Sequence, residues 1–347
     1  MSYQRAMRIA RLESPGEVGQ QETLDHPALM QEVCGFDPWE DPARAYVESY
    51  RRLGVDWLMG IPKRAIRFHR GESSRHGEGG VRYTEWGLSG SGWREEYPVH
   101  DVEEVLAYDP LAALTVPEDP AAGVRADQAL MGQDAIVTGI HYTTLFQYPI
   151  MTFGWELFLT AAAAEPNRFQ RLLEGFAEVS RRTLEGWAAS GPELVLIHDD
   201  VALERGPVFR PDWYRQRLFP LYERLLAPLF ADPRLRVAFV SDGDYTPLID
   251  DLAALGFHGF IVNDNMDMGA IARRLGRDRF LVGNASTLIL THGTVADVQA
   301  EVQRCVEAAR PAAGHFIKAT RDLPHNIPLA NIRAYFDAVE EHGRRRS

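Results

Sequence analysis

The sequence predicts an α/β protein, a distorted (β/α)8 TIM barrel with a β-hairpin inserted between early strands. Three observations predict it. Short runs of consecutive apolar residues recur along the chain, as suits parallel strands buried on both faces. Several of these runs end in polar or titratable residues, where parallel α/β folds gather their sites. Between them lie segments with apolar residues at the helical period. The clearest run is Leu194-Val-Leu-Ile-His-Asp-Asp200. Val237-Ala-Phe-Val-Ser241 leads into Asp242-Gly243-Asp244, Gly259-Phe-Ile-Val262 into Asn263-Asp264, and Phe280-Leu-Val282 into Gly283-Asn284.

The elements follow in order. Residues 16–22 form a short first strand ending at Glu22, and a helix over 43–53 feeds a strand over 54–60. Residues 64–99 hold short β-like runs at 65–69 and 81–86 around the glycine-rich stretch 71–80, which reads as a hairpin excursion. A strand over 135–140 ends at His141 and Tyr142. The helix over 167–189 places Phe169, Leu172, Leu173, Phe176, Val179 and Leu184 on one face. After the Leu194 strand come a helix over 211–229, interrupted at Pro220, and a helix over 245–255 stopped by Gly256. Helices over 268–275 and 294–310 follow the next two strands, and one over 327–342 closes the chain. Eight strands, ending near 22, 60, 141, 198, 242, 264, 284 and 319, suit a closed barrel better than an open doubly wound sheet. No repeat or long linker divides residues 1–347, so they read as one domain.

Lys plus Arg number 37 against 49 Asp plus Glu, a net charge of −12 in 347 residues. That balance gives no support for binding nucleic acid or an anionic membrane. The basic stretch from Lys63 to Arg70 reads as a solvated hairpin. There is no run of about 18 apolar residues for a membrane span. Cys34 and Cys305 lie far apart and suggest no disulfide framework. With the polar start Met1-Ser-Tyr-Gln-Arg-Ala, a cytoplasmic location is expected.

The strand ends supply the candidate site. His198 with Asp200 suits acid–base work, because an adjacent carboxylate orients a histidine and raises its pKa. Alternate residues of an extended segment share a direction, so Asp199 points away from that pair; it is still counted among the substrate-binding candidates. Asp242 suits a general base, a metal ligand or the partner of a substrate cation, and turn chemistry is the competing role for it and for Asp244. Glu22, His141, Tyr142, Asn263, Asp264, Asn284, Lys318 and Arg321 complete the substrate-binding candidates. His26, just before Pro27, reads as a capping residue. No local spacing such as His-Glu-x-x-His supports a metal, and none is assigned.

Several ordered segments carry a family resemblance. They are Gln21-Glu-Thr-Leu-Asp-His-Pro27, Gly54-Val-Asp-Trp57, Tyr83-Thr-Glu-Trp-Gly87, His198-Asp-Asp200 and Ser241-Asp-Gly-Asp244, then Val282-Gly-Asn-Ala285, Leu290-Thr-His-Gly-Thr294 and Pro328-Leu-Ala-Asn331. The set resembles the uroporphyrinogen decarboxylase-like superfamily, which includes corrinoid- and coenzyme-M-linked methyltransferases. The resemblance implies a (β/α)8 barrel, commonly a homodimer, with its site at the C-terminal mouth. Two departures matter. The His-x-Cys of the zinc methyltransferases falls on Val240 and Asp242, and the last region reads Lys318-Ala-Thr-Arg-Asp-Leu-Pro324, so a thiolate-bound zinc is not expected. The arginine-rich loop of true uroporphyrinogen decarboxylases is replaced by Val18-Gly-Gln-Gln-Glu-Thr-Leu24, so haem-pathway decarboxylation is not expected either. The reading is a methyltransferase acting on a small methylated substrate, with a corrinoid carried by a separate protein as the implied acceptor. The alternatives are a decarboxylase of another carboxylated substrate and a non-catalytic binding protein.

Overall fold

Eight short parallel strands close on themselves, each apolar on both sides because one side fills the bore and the other meets the helices. The computed structural model describes residues 2–63, 97, 99–142 and 144–343, with the backbone of three further strands at Ser74–His76, Arg82–Trp86 and Ser91–Arg94. The barrel strands are β1 (Val18–Gln20), β2 (Trp57–Leu58), β3 in two pieces (Ile136–Val137 and Gly139–His141), β4 (Leu194–His198), β5 (Arg236–Val240), β6 (Gly259–Ile261), β7 (Phe280–Val282) and β8 (His315–Ile317). The hydrogen-bonded order runs β1, β8, β7, β6, β5, β4 and the second piece of β3. The first piece of β3 pairs with β2. Closure comes where Gln21 bridges to Trp57, flanked by the Asp56 N–H donating to the Gln20 carbonyl at 2.9 Å. Each of the eight barrel strands anticipated from the sequence is present.

Alternation divides the side chains. Leu194 and Leu196 of β4 join the bore cluster, whereas Val195 and Ile197 pack under the surrounding helices. Trp57 fills the bore, meeting Phe280 and Phe316 edge to face with centroids 6.3 and 5.3 Å apart. Gly19 is required here: a Cβ would lie 2.5 Å from the Phe316 ring.

The helix Ser2–Ala10, which the sequence reading missed, closes the bottom of the bore with Ala6, Met7, Ile9 and Ala10. It is anchored at the strand starts, with Tyr3 donating to the Gln133 carbonyl at 3.2 Å and to Glu193 at 2.6 Å. Arg5 donates Nε to Asp56 Oδ1 at 2.8 Å, and the other oxygen of this buried carboxylate accepts Gln20 N–H at 2.9 Å.

Other expectations need correction. The excursion between β2 and β3 is a three-stranded antiparallel sheet, not a two-stranded hairpin; the run expected at 65–69 lies outside the described residues. The helical run from Pro211 to Phe230 is interrupted close to Pro220, as read from the sequence: a five-residue π-type turn, Tyr214–Leu218, leads into Phe219–Phe230, and Pro220 has no N–H for the ladder there. The helix Val295–Ala308 begins with a reciprocal cap between Thr294 and Asp297. Cys34 and Cys305 are free and buried. Among the described residues no helix is long and apolar enough to cross a membrane.

Breaking one side of a buried ion pair leaves an uncompensated charge. Arg5→Met is therefore expected to cost about 3 kcal/mol in urea unfolding, with far-UV circular dichroism unchanged before the transition.

Candidate active site

The mouth is built where β3, β4, β5 and β8 run out. His198 is the last residue of β4, and alternation turns it inward with Leu194 and Leu196. Its Nε2 lies 3.0 Å from Asp200 Oδ1, and that oxygen also accepts the Asp242 N–H at 2.8 Å. Asp242 in turn accepts from Arg321 at 3.2 Å. Tyr142, just beyond β3, sits over the imidazole with ring centroids 4.3 Å apart. A continuous chain thus runs Tyr142, His198, Asp200, Asp242, Arg321. The His198 and Asp200 side chains are each 14% exposed, so the pair is recessed but reachable.

The electrostatics follow from that recess. Burial pulls the His198 pKa down, but the bonded Asp200 and the charges of Asp242 and Asp199 outweigh it and hold the imidazole above its ordinary 6.5. Burial pushes the Asp200 carboxyl up, and His198, the Asp242 N–H and Arg321 together bring it below its ordinary value. Burial, with the charges of Asp200, Asp242 and Asp322, pushes the Tyr142 hydroxyl up to about 12, so it stays a donor.

A cavity of about 620 Å³ opens on the β5–β8 side. Its lining includes Asp242, Asn263, Asp264, Arg321, Leu203 and Leu288, and the two leucines are largely exposed. Asp242 and Arg321 both line this cavity, and the Asp242 N–H links it to the oxygen of Asp200 that meets His198.

The remaining candidates separate into several places. Asp199 is corrected: it is fully buried, facing away from the mouth. Its carboxylate accepts N–H from Leu145 at 3.1 Å and Phe146 at 2.7 Å, from Gln147, and the hydroxyl of Tyr222. It therefore holds the start of the helix Gln147–Phe153 and has no lone pair turned to a substrate. Asn284 is also corrected: it is buried, donating to the Asn263 and Met266 carbonyls and accepting from Arg304. Asp244 accepts the Thr246 N–H at 2.9 Å, two residues on, which is its turn-chemistry role. Asn263 lines the cavity but spends its amide on the Ser241 and Gly243 carbonyls. Asp264 stands exposed on the cavity wall. His141 lies on the outward side of β3, buried, with its pKa lowered by burial to about 4. His26 caps the helix Pro27–Cys34 through the Leu29 N–H, as read from the sequence.

Glu22 is not open to the mouth. It is fully buried, accepting from the Tyr335 hydroxyl and from Gln20 at 3.3 Å. Burial pushes its carboxyl up to about 7, against the pull of Lys318 and these donors. Lys318 is buried at the end of β8 near Glu22 and Asp322. Asp322 was missed in the sequence reading. Its side chain is exposed, yet desolvation raises its pKa and the charges of Asp25 and Asp242 add to the rise against Lys318, which places it close to these groups.

A zinc site of the superfamily's thiolate kind does not fit. Val240 lies in the bore, Asp242 is bonded to Arg321, and both thiols are buried elsewhere. Among the described residues no three His, Cys, Asp or Glu side chains gather as a metal-holding group.

These features define a parallel (β/α)8 barrel with a titratable cluster at its C-terminal mouth. The chain belongs to the uroporphyrinogen decarboxylase (URO-D) family, whose pattern matches residues 143–342; it is thus a member of a family of enzymes. Among solved structures it is similar to a methyltransferase from Methanosarcina mazei, at 16% identity over 98% of both chains, with a TM-score of 0.69. It is also similar to a protein from Listeria monocytogenes described as a vitamin-B12-independent methionine synthase, at 12% identity over 95% of this chain and 96% of that one, with a TM-score of 0.51. At these identities the likeness shows the fold alone. No curated protein matches the sequence significantly.

Two predictions follow from the corrected placements. Asp199→Ala leaves three backbone donors and a hydroxyl unmet and should cost about 3 kcal/mol or more, against about 1 kcal/mol for Asp244→Ala, both read by urea unfolding. Glu22 has a native pKa of about 7, above its ordinary 4.5. The native chain therefore holds that proton more tightly than the unfolded chain, and stability falls as pH rises from 4.5 through 7. Glu22→Gln should flatten that part of the stability–pH curve.

Proposed function

We propose that the protein is a methyltransferase acting on a small methylated substrate, with His198 as the acid that protonates the leaving atom. The observation that carries this reading is the recessed His198–Asp200 pair at the mouth beneath Tyr142, where the bonded carboxylate raises the imidazole pKa above its ordinary value. Nε2 is committed to Asp200, so the transferred proton leaves from Nδ1. The acceptor attacks the methyl carbon while the bond from that carbon to oxygen or nitrogen breaks. The leaving atom keeps the electron pair and takes the His198 proton, which removes the cost of expelling an anion. Asp200 stabilises the imidazolium and fixes its orientation. Tyr142 covers the ring and offers its hydroxyl to the substrate, and Asp242 holds Arg321 at the edge of the adjoining cavity. A corrinoid on a separate partner protein would supply the methyl acceptor. Support comes from the family, from the methyltransferase likeness in fold, and from an acid placed where no thiolate metal centre fits.

A second reading is decarboxylation of a small carboxylated substrate, favoured by the family's own description. The same His198 would then protonate the carbon left when carbon dioxide departs, and no acceptor would be consumed.

A trial with methyl-labelled and carboxyl-labelled candidate substrates separates the two. Methyl transfer requires label to leave only when the acceptor protein is supplied; release of labelled carbon dioxide without acceptor would replace the first reading with the second. In either case His198→Asn should lower kcat by about 100-fold to 10,000-fold, with little change in the urea midpoint. Activity unchanged in His198→Asn would remove the acid role.

A further inference from the structure

Two side chains at the ends of neighbouring strands have unmet hydrogen-bonding capacity. Gln21 follows β1 and Lys318 follows β8, and the Gln21 N–H donates to the Ile317 carbonyl at 3.0 Å. Both side chains turn into the bore. Gly19 faces the Phe316 ring, so Gln21, two residues on, shares that side of β1. Phe316 belongs to the bore cluster, so Lys318 shares that side of β8.

Gln21 is fully buried, and among the described residues neither its amide nitrogen nor its oxygen has a hydrogen-bond partner. A polar group buried this way costs about 1–3 kcal/mol unless a water or a ligand group meets it. Lys318 is only 4% exposed, and its ammonium donates to the Ala319 carbonyl at 2.7 Å. The carboxyls of Glu22 and Asp322 act on it through charge rather than through a direct bond. Neither carboxyl reaches the ammonium with a hydrogen bond or ion pair of its own among the described residues, so the backbone carbonyl of Ala319 is its one direct partner there. A buried cation in that position calls for an anion. Arg321, by contrast, is already bonded to Asp242.

We propose that Gln21 and Lys318 form a subsite, at the floor of the mouth that holds His198, for the carboxylate of a small carboxylic-acid substrate. The proposal rests on the reading of this mouth as the substrate site, and it gives that substrate a chemical class. Lys318 donates to one carboxylate oxygen and the Gln21 amide nitrogen to the other. The Gln21 oxygen accepts from a water or hydroxyl carried beside the carboxylate. One ammonium and one amide match the charge and the two oxygens of a carboxylate; a phosphate dianion would need a further cation.

Calorimetric titration of the full chain with acetate, beside its neutral counterpart acetamide, tests this. Acetate should bind and acetamide should not. Gln21→Leu and Lys318→Met should each weaken acetate binding by about tenfold or more, whereas His198→Asn should bind acetate like the native chain. Gln21→Leu removes an unmet polar group at similar volume, so its urea midpoint should equal or exceed the native one. Failure of the native chain to bind acetate overturns the proposal and leaves a resident water as the partner of Gln21. Native-like affinity in both variants overturns it too, by placing acetate elsewhere. The His198→Asn variant keeps the two ideas apart: its loss of turnover tests the acid, and its acetate affinity tests the subsite.

Discussion

The candidate site depends on a carboxylate that takes no part in it. Asp199 sits between His198 and Asp200, and its side chain is buried on the outer face of the barrel by three backbone N–H groups and the Tyr222 hydroxyl. Because successive residues of an extended segment point oppositely, anchoring Asp199 outward obliges its two neighbours to face the mouth. The same bonds hold residues 145–147, only three residues past Tyr142, and so fix the turn that lays Tyr142 over His198. Burial pushes the Asp199 carboxyl up to about 6 while its donors pull the other way, so near neutral pH it remains the acceptor these groups need.

Above and below that turn the barrel changes character. Its lower bore is aromatic and aliphatic, closed by the N-terminal helix, with Trp57 wedged between two phenylalanines. The next level carries Gln21, Lys318 and His198. His198 sits over an apolar plug and is poorly solvated from beneath, so burial pulls its pKa down and the bonded Asp200 has to outweigh that pull; Glu22 is raised by its own burial on the outer side of the barrel, against Tyr335.

Much of this was legible in the sequence because parallel strands write their burial as unbroken apolar runs. The run at 194–198 and its polar ending located β4 and the His198–Asp200 pair, since a two-residue spacing on a strand means one direction. What was not legible depends on which way a polar residue turns and what it meets there. Asp199 and Asn284 look as reactive in the sequence as Asp200, and only their backbone partners, distant in sequence, show them to be structural. The helix Ser2–Ala10 was hidden because Ser2, Gln4, Arg5 and Arg8 are as many as the four residues that enter the bore, two of which are alanines. Gln21 and Asp322 were passed over because glutamine and a loop aspartate carry no pattern of their own; their meaning comes from the strand ends that bring them beside Lys318.

The most direct measurement is a titration of His198 by nitrogen-15 NMR in the native chain and in Asp200→Asn. The arrangement at the mouth predicts an imidazole pKa above 6.5 in the native chain. It predicts a fall below that value in the variant, where burial is no longer outweighed by the bonded carboxylate. A native His198 titrating at or below 6.5, or one indifferent to the loss of the Asp200 charge, would contradict the assignment of this pair as the acid of the site.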